Sequence, residues 1–221
     1  MNRLPVYIVV DTSSSLMGQI DQINGAIAEL FDALRSDPLV ASSMSVAIVQ
    51  FDDEAYEVLA LSNVRDVDTP PELLVGGRTE LGSAFRLVRR LIVRDVAALK
   101  ADGQRVYRPL LFLVTDGSPS GDDWRAALLD IQRPQFREGP TIVAFGIGSV
   151  DPDILREIGA GGGSAFMVSA ELDTGAAIRS IFDGLAAMFK STVQSSISPH
   201  GRSYISVPEG WIDVTAVSED R

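Results

Sequence analysis

The segment Asp11-Thr12-Ser13-Ser14-Ser15 follows directly on the apolar run Val-Tyr-Ile-Val-Val at 6–10. A carboxylate and several hydroxyls therefore leave together from the end of what reads as a buried strand. Two further oxygen-bearing positions come later in the chain: Thr79 in Gly76-Gly77-Arg78-Thr79, and Asp116 in Leu113-Val114-Thr115-Asp116-Gly117. Ser13 and Ser15 are two apart, so one turn can aim both hydroxyls at a single point. Hard oxygen donors without nitrogen or sulfur suit magnesium or manganese. Each segment also has a plainer reading, as a helix N-cap or a turn. What singles them out is that all three occur in order, each at a strand end or a helix start.

Other chemistries are excluded by the residues at hand. The chain has no cysteine and one histidine, His200, in the tail. Thiolate centres, disulfides and His-rich zinc sites are therefore out of reach. A Ser-His-Asp triad is not credible with that histidine, which reads as an exposed loop residue. No Gly-x-x-x-x-Gly-Lys phosphate loop is present, and Gly146-Ile147-Gly148 lacks the third glycine of a dinucleotide fingerprint. Gly117-Ser118-Pro119-Ser120-Gly121 has the wrong spacing for a nucleophile elbow. Gly161-Gly162-Gly163 reads as a flexible turn, and Asp52-Asp53-Glu54 as a solvated hairpin tip.

These residues need a frame that brings distant strand ends together. The run at 6–10 has the pattern of a strand covered on both faces, as in parallel sheets. Ile20, Ile23, Ile27, Leu30, Phe31 and Leu34 follow at helical spacing, and Asp37-Pro38 ends that helix. Strands are expected at 45–51 and 56–61, joined by the acidic tip in a hairpin, which makes the second antiparallel. Leu81, Phe85, Val88, Leu91 and Ile92 mark a long helix. Further strands are expected at 110–114, 141–147 and 166–168, and further helices at 124–131, 154–158 and 176–193.

Strands alternating with helices predict an α/β fold with a doubly wound, mostly parallel six-stranded sheet and one antiparallel edge strand. In such a sheet ligands bind where loops leave the carboxyl ends of the strands. Asp11 and Asp116 both sit at such ends. One domain is expected over 1–195. The remainder, 196–221, reads as a tail in which 203–207 and 211–215 form a short hairpin around Pro208-Glu209-Gly210, strapped to the parent domain.

The formal net charge is −11, which disfavours nucleic acid or an anionic membrane as a partner. It suits a cation or a basic protein surface. No apolar stretch approaches the roughly 18 residues of a membrane span. The N-terminal Met1-Asn2-Arg3-Leu4-Pro5 has no signal-peptide pattern, so a cytoplasmic setting is expected.

The three segments together resemble the metal-ion-dependent adhesion site of von Willebrand factor A domains, and the resemblance covers roughly residues 4 to 190. It implies that Ser13, Ser15 and Thr79 supply hydroxyl ligands to magnesium or manganese. It also implies that Asp11 and Asp116 act largely through bound waters or by fixing those hydroxyls. Ser14 and Gly117 would shape the loops. Two carboxylates roughly balance a divalent ion, while neutral hydroxyls leave it electrophilic. An Asp or Glu from a protein partner can then complete the shell.

A narrower resemblance is to TerY-type proteins of bacterial tellurium-resistance and stress-response clusters. It rests on Arg3-Leu4-Pro5-Val6-Tyr7, Asp37-Pro38, the Gly-Gly-Arg-Thr-Glu-Leu-Gly segment at 76–82, Thr115-Asp116-Gly117-Ser118-Pro119 with Asp122-Asp123-Trp124, and the phenylalanine-rich last helix. It implies a scaffold, not an enzyme, with a kinase and a phosphatase as neighbours. Leu16 departs from that pattern, since Met follows the last serine directly in many members, and so does the length of the tail. Two other readings stand beside this one. A magnesium enzyme acting on a phosphate would lack the Asp-x-Asp pattern, because Ser13 stands at the second position. A structural subunit would use the metal only to stabilise its fold.

Overall fold

In the computed structural model, described here over residues 2–121, 123–168, 173–196 and 210–215, strand β1 (Asn2–Asp11) is the centre of the molecule. It is buried from Leu4 to Asp11. Parallel neighbours flank it on both sides: β2 (Met44–Phe51) with Tyr7 beside Ala47, and β5 (Leu110–Thr115) with Tyr7 beside Leu111. Outside β5 come β6 (Thr141–Gly146) and β7 (Ser164–Val168), also parallel. Outside β2 lies β3 (Ala55–Asn63), antiparallel as the short acidic connection predicts.

These six strands form the expected mostly parallel sheet. Two short strands extend it. Strand β4 (Arg105–Val106) runs parallel to the start of β1, and β8 (Trp211–Asp213) adds antiparallel to β7. The expected arm at 203–207 and His200 lie outside the described residues. Its counterpart, β8, belongs to the main sheet.

Because successive side chains of a strand face opposite ways, β1 feeds two cores. Val6, Ile8 and Val10 join one cluster with Ile23, Ile27 and Phe31 of α1 (Ile20–Ser36) and with Ile181 and Phe189 of α6 (Thr174–Ser196). Phe189 meets Phe112 of β5 edge-on, with ring centroids 5.0 Å apart. Tyr7 and Val9 join the other cluster. There they meet Phe85, Val88 and Ile92 of α3 (Leu81–Ala101), Trp124 and Leu128 of α4 (Trp124–Gln132), and Leu155 of α5 (Pro152–Gly159). Each such side chain contributes roughly 1.5–3 kcal/mol through removal of its apolar surface from water.

Local signals account for most boundaries. Asp37-Pro38 ends α1 and also starts the next helix, α2 (Pro38–Ser43). Asp37 Oδ1 accepts from the N–H groups of Leu39 and Val40 at 3.0 and 3.2 Å, and Pro38 takes the first helical position. Gly163 corrects the reading of 161–163 as merely a flexible turn. A Cβ there would lie 2.0 Å from the backbone oxygen of Ile142, so the absence of a side chain lets the chain pass against β6. Gly162 next to it has φ +85°. None of the helices among the described residues is long and apolar enough to cross a membrane.

Candidate metal centre

All five positions singled out in the sequence lie at the carboxyl-end side of the sheet. Asp11 is the last residue of β1, and Asp116 follows the last residue of β5. Thr79 lies on the loop leading into α3. Asp11, Ser13 and Thr79 are buried.

The loop after β1 is tied at each end. The Thr12 N–H donates to the Phe51 carbonyl of β2 at 2.9 Å, and the Thr12 hydroxyl donates to the same oxygen at 3.2 Å. A single 3₁₀ turn covers Ser14–Leu16, closed by the Leu16 N–H on the Ser13 carbonyl at 3.0 Å. Leu16 is the anchor of this turn. It is 1% exposed within the α1/α6 core, while Met17 beside it is 67% exposed. Leu16 therefore pins the loop, and the methionine beside it faces outward.

The hydroxyls and carboxylates form a chain. Ser15 Oγ donates to Asp116 Oδ1 at 2.9 Å. Ser13 Oγ stands 3.1 Å from Ser15 Oγ. Since the one Ser15 proton is engaged with Asp116, Ser13 is the donor in that pair. Asp11 Oδ1 accepts the Ser13 N–H at 2.9 Å, and Asp11 Oδ2 accepts the Thr115 hydroxyl at 2.6 Å. The Ser15 proton thus points toward a carboxylate, and each serine oxygen keeps at least one lone pair for a cation.

Thr79 faces the same space. A Cβ added to Gly117 would come within 3.1 Å of Thr79 Oγ1 and 4.0 Å of Asp11 Oδ2. Gly117 keeps that space clear.

Two supports were missed or misread in the sequence. Thr115, buried at the end of β5, holds the outer oxygen of Asp11 and so links the first and third segments. The signal was a hydroxyl directly before Asp116 at a strand end. The acidic tip Asp52-Asp53-Glu54 is not merely solvated. Carboxylate oxygens of Asp52 and Asp53 stand 1.6 and 2.0 Å from where side chains of Gly76 and Gly77 would begin. Asp53 also accepts the Arg78 N–H at 3.1 Å. The glycines are required because the β2–β3 tip lies on the Thr79 loop. That loop in turn braces the first: the Gly76 N–H donates to the Thr12 carbonyl at 2.8 Å, and the Ser14 N–H to the Gly77 carbonyl at 3.0 Å.

Burial pushes the Asp11 carboxyl above its ordinary value, against the hydrogen bonds from Thr115 and Ser13, and the Asp116 charge adds to the rise. Burial likewise raises Asp116, against its bonds with Ser15 and Ser13. Two carboxylates held partly out of water near each other favour a counter-cation. The donor set fits a small divalent ion. Adjacent ligands of an octahedral ion with ~2.1 Å bonds stand about 3.0 Å apart. The Ser13–Ser15 oxygen separation is 3.1 Å. Among the described residues no three Asp, Glu or His side chains gather as a metal cage. The centre is thus hydroxyl-rich, with low compensating charge.

Comparison with known proteins points the same way. The family model for the von Willebrand factor type A domain matches residues 6–183. A comparison with curated protein sequences finds no match. Among solved structures, the chain is similar to a von Willebrand factor type A protein from Catenulispora acidiphila, with 19% identity and a TM-score of 0.63 over 86% of this chain and 43% of that one. It is similar to the pilus adhesin SpaC from Lactobacillus rhamnosus GG in its open conformation, with 12% identity and a TM-score of 0.67 over 87% and 30%. It is also similar to proximal thread matrix protein 1 from the mussel byssus with a zinc-occupied MIDAS motif, with 17% identity and a TM-score of 0.57 over 86% and 48%. The chain spans less than half the length of each of these three. At such identities the likeness speaks for the fold, and the family model covers most of the sequence. The chain belongs to the von Willebrand factor type A domain family.

Proposed function

We propose that this protein is a metal-gated protein-binding module. Ser13, Ser15 and Thr79 hold magnesium or manganese through hydroxyl oxygens, Asp11 and Asp116 orient those hydroxyls and supply charge, and an Asp or Glu of a protein partner completes the shell. The observation that carries this reading is the placement of the Ser13 and Ser15 hydroxyl oxygens, 3.1 Å apart as adjacent ligands of a small ion would be, with Ser15 held in place by Asp116. Related support comes from the mussel byssus protein, whose corresponding motif holds zinc. The identity of the resident ion here is part of the proposal.

The chemistry the ion supplies is Lewis acidity toward a carboxylate. The chain's own residues supply position. Thr115 and the Ser13 N–H occupy the two oxygens of Asp11. These contacts fix the orientation of the carboxylate. Adhesins, pilins and a thread matrix protein are among the similar structures, which agrees with a binding role.

The finer assignment is a cytoplasmic TerY-type scaffold working beside a kinase and a phosphatase in a tellurite or stress response. It rests on the sequence segments at 3–7, 76–82 and 115–124. One experiment tests both levels: capture from native cell extract by the tagged protein, in magnesium against chelator, with Ser13→Ala/Asp116→Ala as control. A partner retained only by wild type in magnesium supports the module, and its identity decides the finer assignment. Equal capture in every lane overturns the metal-gated reading.

A further inference from the structure

At the opposite end of β5 from Asp116 lies an open pocket of about 580 Å³, where the end of α3, the link from β4 to β5 and the 137–138 turn meet. Six residues of β5 separate the two places, about 20 Å at a strand's rise per residue. The lining includes Lys100, Arg108, Arg137 and Glu138, with Val96 and Pro109 as part of an apolar wall. Three cations therefore face one carboxylate, in a chain whose net charge is −11.

The cations differ in their partners. Lys100 Nζ lies 3.0 Å from Glu138 Oε1. Arg108 Nε donates to the Gly139 carbonyl at 2.9 Å, which fixes the plane of its guanidinium. Arg137 makes no salt bridge among the described residues, though its charge is felt at Glu138. The C-terminal end of α3 brings partial negative charge, which Lys100 at its last turn offsets. An excess of about two positive charges remains, matching the −1.5 to −2 of a phosphate monoester. Forked guanidinium donors suit phosphate oxygens. The volume and apolar wall suit an attached organic group.

We propose that this pocket is a binding site for a small phosphate-bearing molecule, separate from the metal centre and independent of it. The test uses metal-free protein dialysed free of chelator. Calorimetric titrations at low salt compare phenyl phosphate, inorganic phosphate and a polyglutamate peptide. Saturable binding of phenyl phosphate, weakened roughly tenfold or more by Arg137→Ala or Lys100→Ala, is expected from the loss of one charge-assisted contact. Glu138→Gln should tighten binding, because it frees Lys100, and Ser13→Ala/Asp116→Ala should leave it unchanged. A clear preference for phenyl phosphate over inorganic phosphate identifies an organic ligand, while equal affinities identify the free anion. The proposal is overturned if neither phosphate binds at millimolar concentration. It is overturned too if binding survives both cation variants, or if only polyglutamate binds, which would make the pocket a protein-docking face.

Discussion

Ser15 Oγ donates to Asp116 Oδ1 at 2.9 Å across 101 residues of sequence, joining the loop after β1 to the end of β5. This bond holds the first and third segments of the candidate metal centre together. It also turns the single Ser15 proton away from the space the lone pairs face. Removing the hydroxyl should therefore cost metal affinity more than stability. Magnesium at roughly 100 times its Kd should stabilise the wild type by about 2.7 kcal/mol. In a chain of this size that raises Tm by several degrees. Ser15→Ala should unfold within ~1 kcal/mol of wild type without metal and lose most of the magnesium-induced rise. Thermal melts of both proteins with and without magnesium check this, and an equal rise in both would remove Ser15 from the ligand set.

The raised carboxyls of Asp11 and Asp116 set a pH dependence. Both groups sit above 3.8 in the folded protein because burial disfavours their charge. Between that value and the folded one, the native state holds more protons than the unfolded chain. Without metal, the contribution of these groups to stability is therefore full below the ordinary carboxylate value and falls as pH rises through the folded value. A divalent ion reverses the trend, since it binds the ionised pair and competes with protons. The magnesium-induced rise in Tm should be small near pH ~4 and grow toward neutrality. Melts across that range, with and without magnesium, test the sign. A metal effect that stays flat with pH would show that the ion does not bind these carboxylates.

Much of the fold was legible because burial leaves a strong pattern. The run at 6–10 is buried on both faces and became the central strand. The helical spacing of Ile23, Ile27, Leu30 and Phe31 became the buried face of α1. The metal-centre candidates stood out because three oxygen-bearing segments come in order, each at a strand end or a helix start. What escaped notice depends on tertiary neighbours. Nothing local says that the Asp52-Asp53 tip will press on Gly76 and Gly77, or that Thr115 will reach Asp11 from 104 residues away. Strand β8 has only three residues, and its pairing with β7 is decided by the edge it meets. Asp37-Pro38 carried two meanings, stop and start, and only the stop was read.

Gly163→Ala should be among the more damaging single-methyl additions in the chain. Its Cβ would stand 2.0 Å from the Ile142 carbonyl oxygen. That oxygen belongs to β6, whose backbone is held by pairing to β5 and β7. A strand locked on both sides cannot retreat as a flexible side chain would. Overpacking of this kind costs about 3 kcal/mol at the upper end of its usual range. By contrast, Gly76→Ala meets only the side chain of Asp52, from its carboxylate back to its Cβ at 2.8 Å, so the β2–β3 tip must shift with some loss to the support of the Thr79 loop, while no paired strand has to move. Urea unfolding of the two variants should rank Gly163→Ala well below Gly76→Ala. The reverse order would mean that the β6 edge is softer than its pairing implies.

Trp211 gives the tail a measurable role in the domain. Its ring meets Phe145 edge-on, with centroids 5.4 Å apart, and its Nε1 donates to Ser180 Oγ of α6 at 2.6 Å. The side chain is buried against the α1/α6 core, and its strand closes the free edge of β7. An edge strand left open exposes unpaired backbone groups that invite association with another chain. Trp211→Ala should cost about 3–5 kcal/mol, as for other buried tryptophans, and promote self-association on mild heating. Trp211→Phe keeps the ring contact and loses the hydrogen bond to Ser180, so it should cost about 1 kcal/mol. Denaturant melts give the two energies, and light scattering during the thermal ramp reports the exposed edge. If Trp211→Ala melted with wild type, the strap would be a passenger on the sheet. A large loss from Trp211→Ala and a small one from Trp211→Phe would make the ring, more than the indole N–H, the anchor that seals the edge of β7.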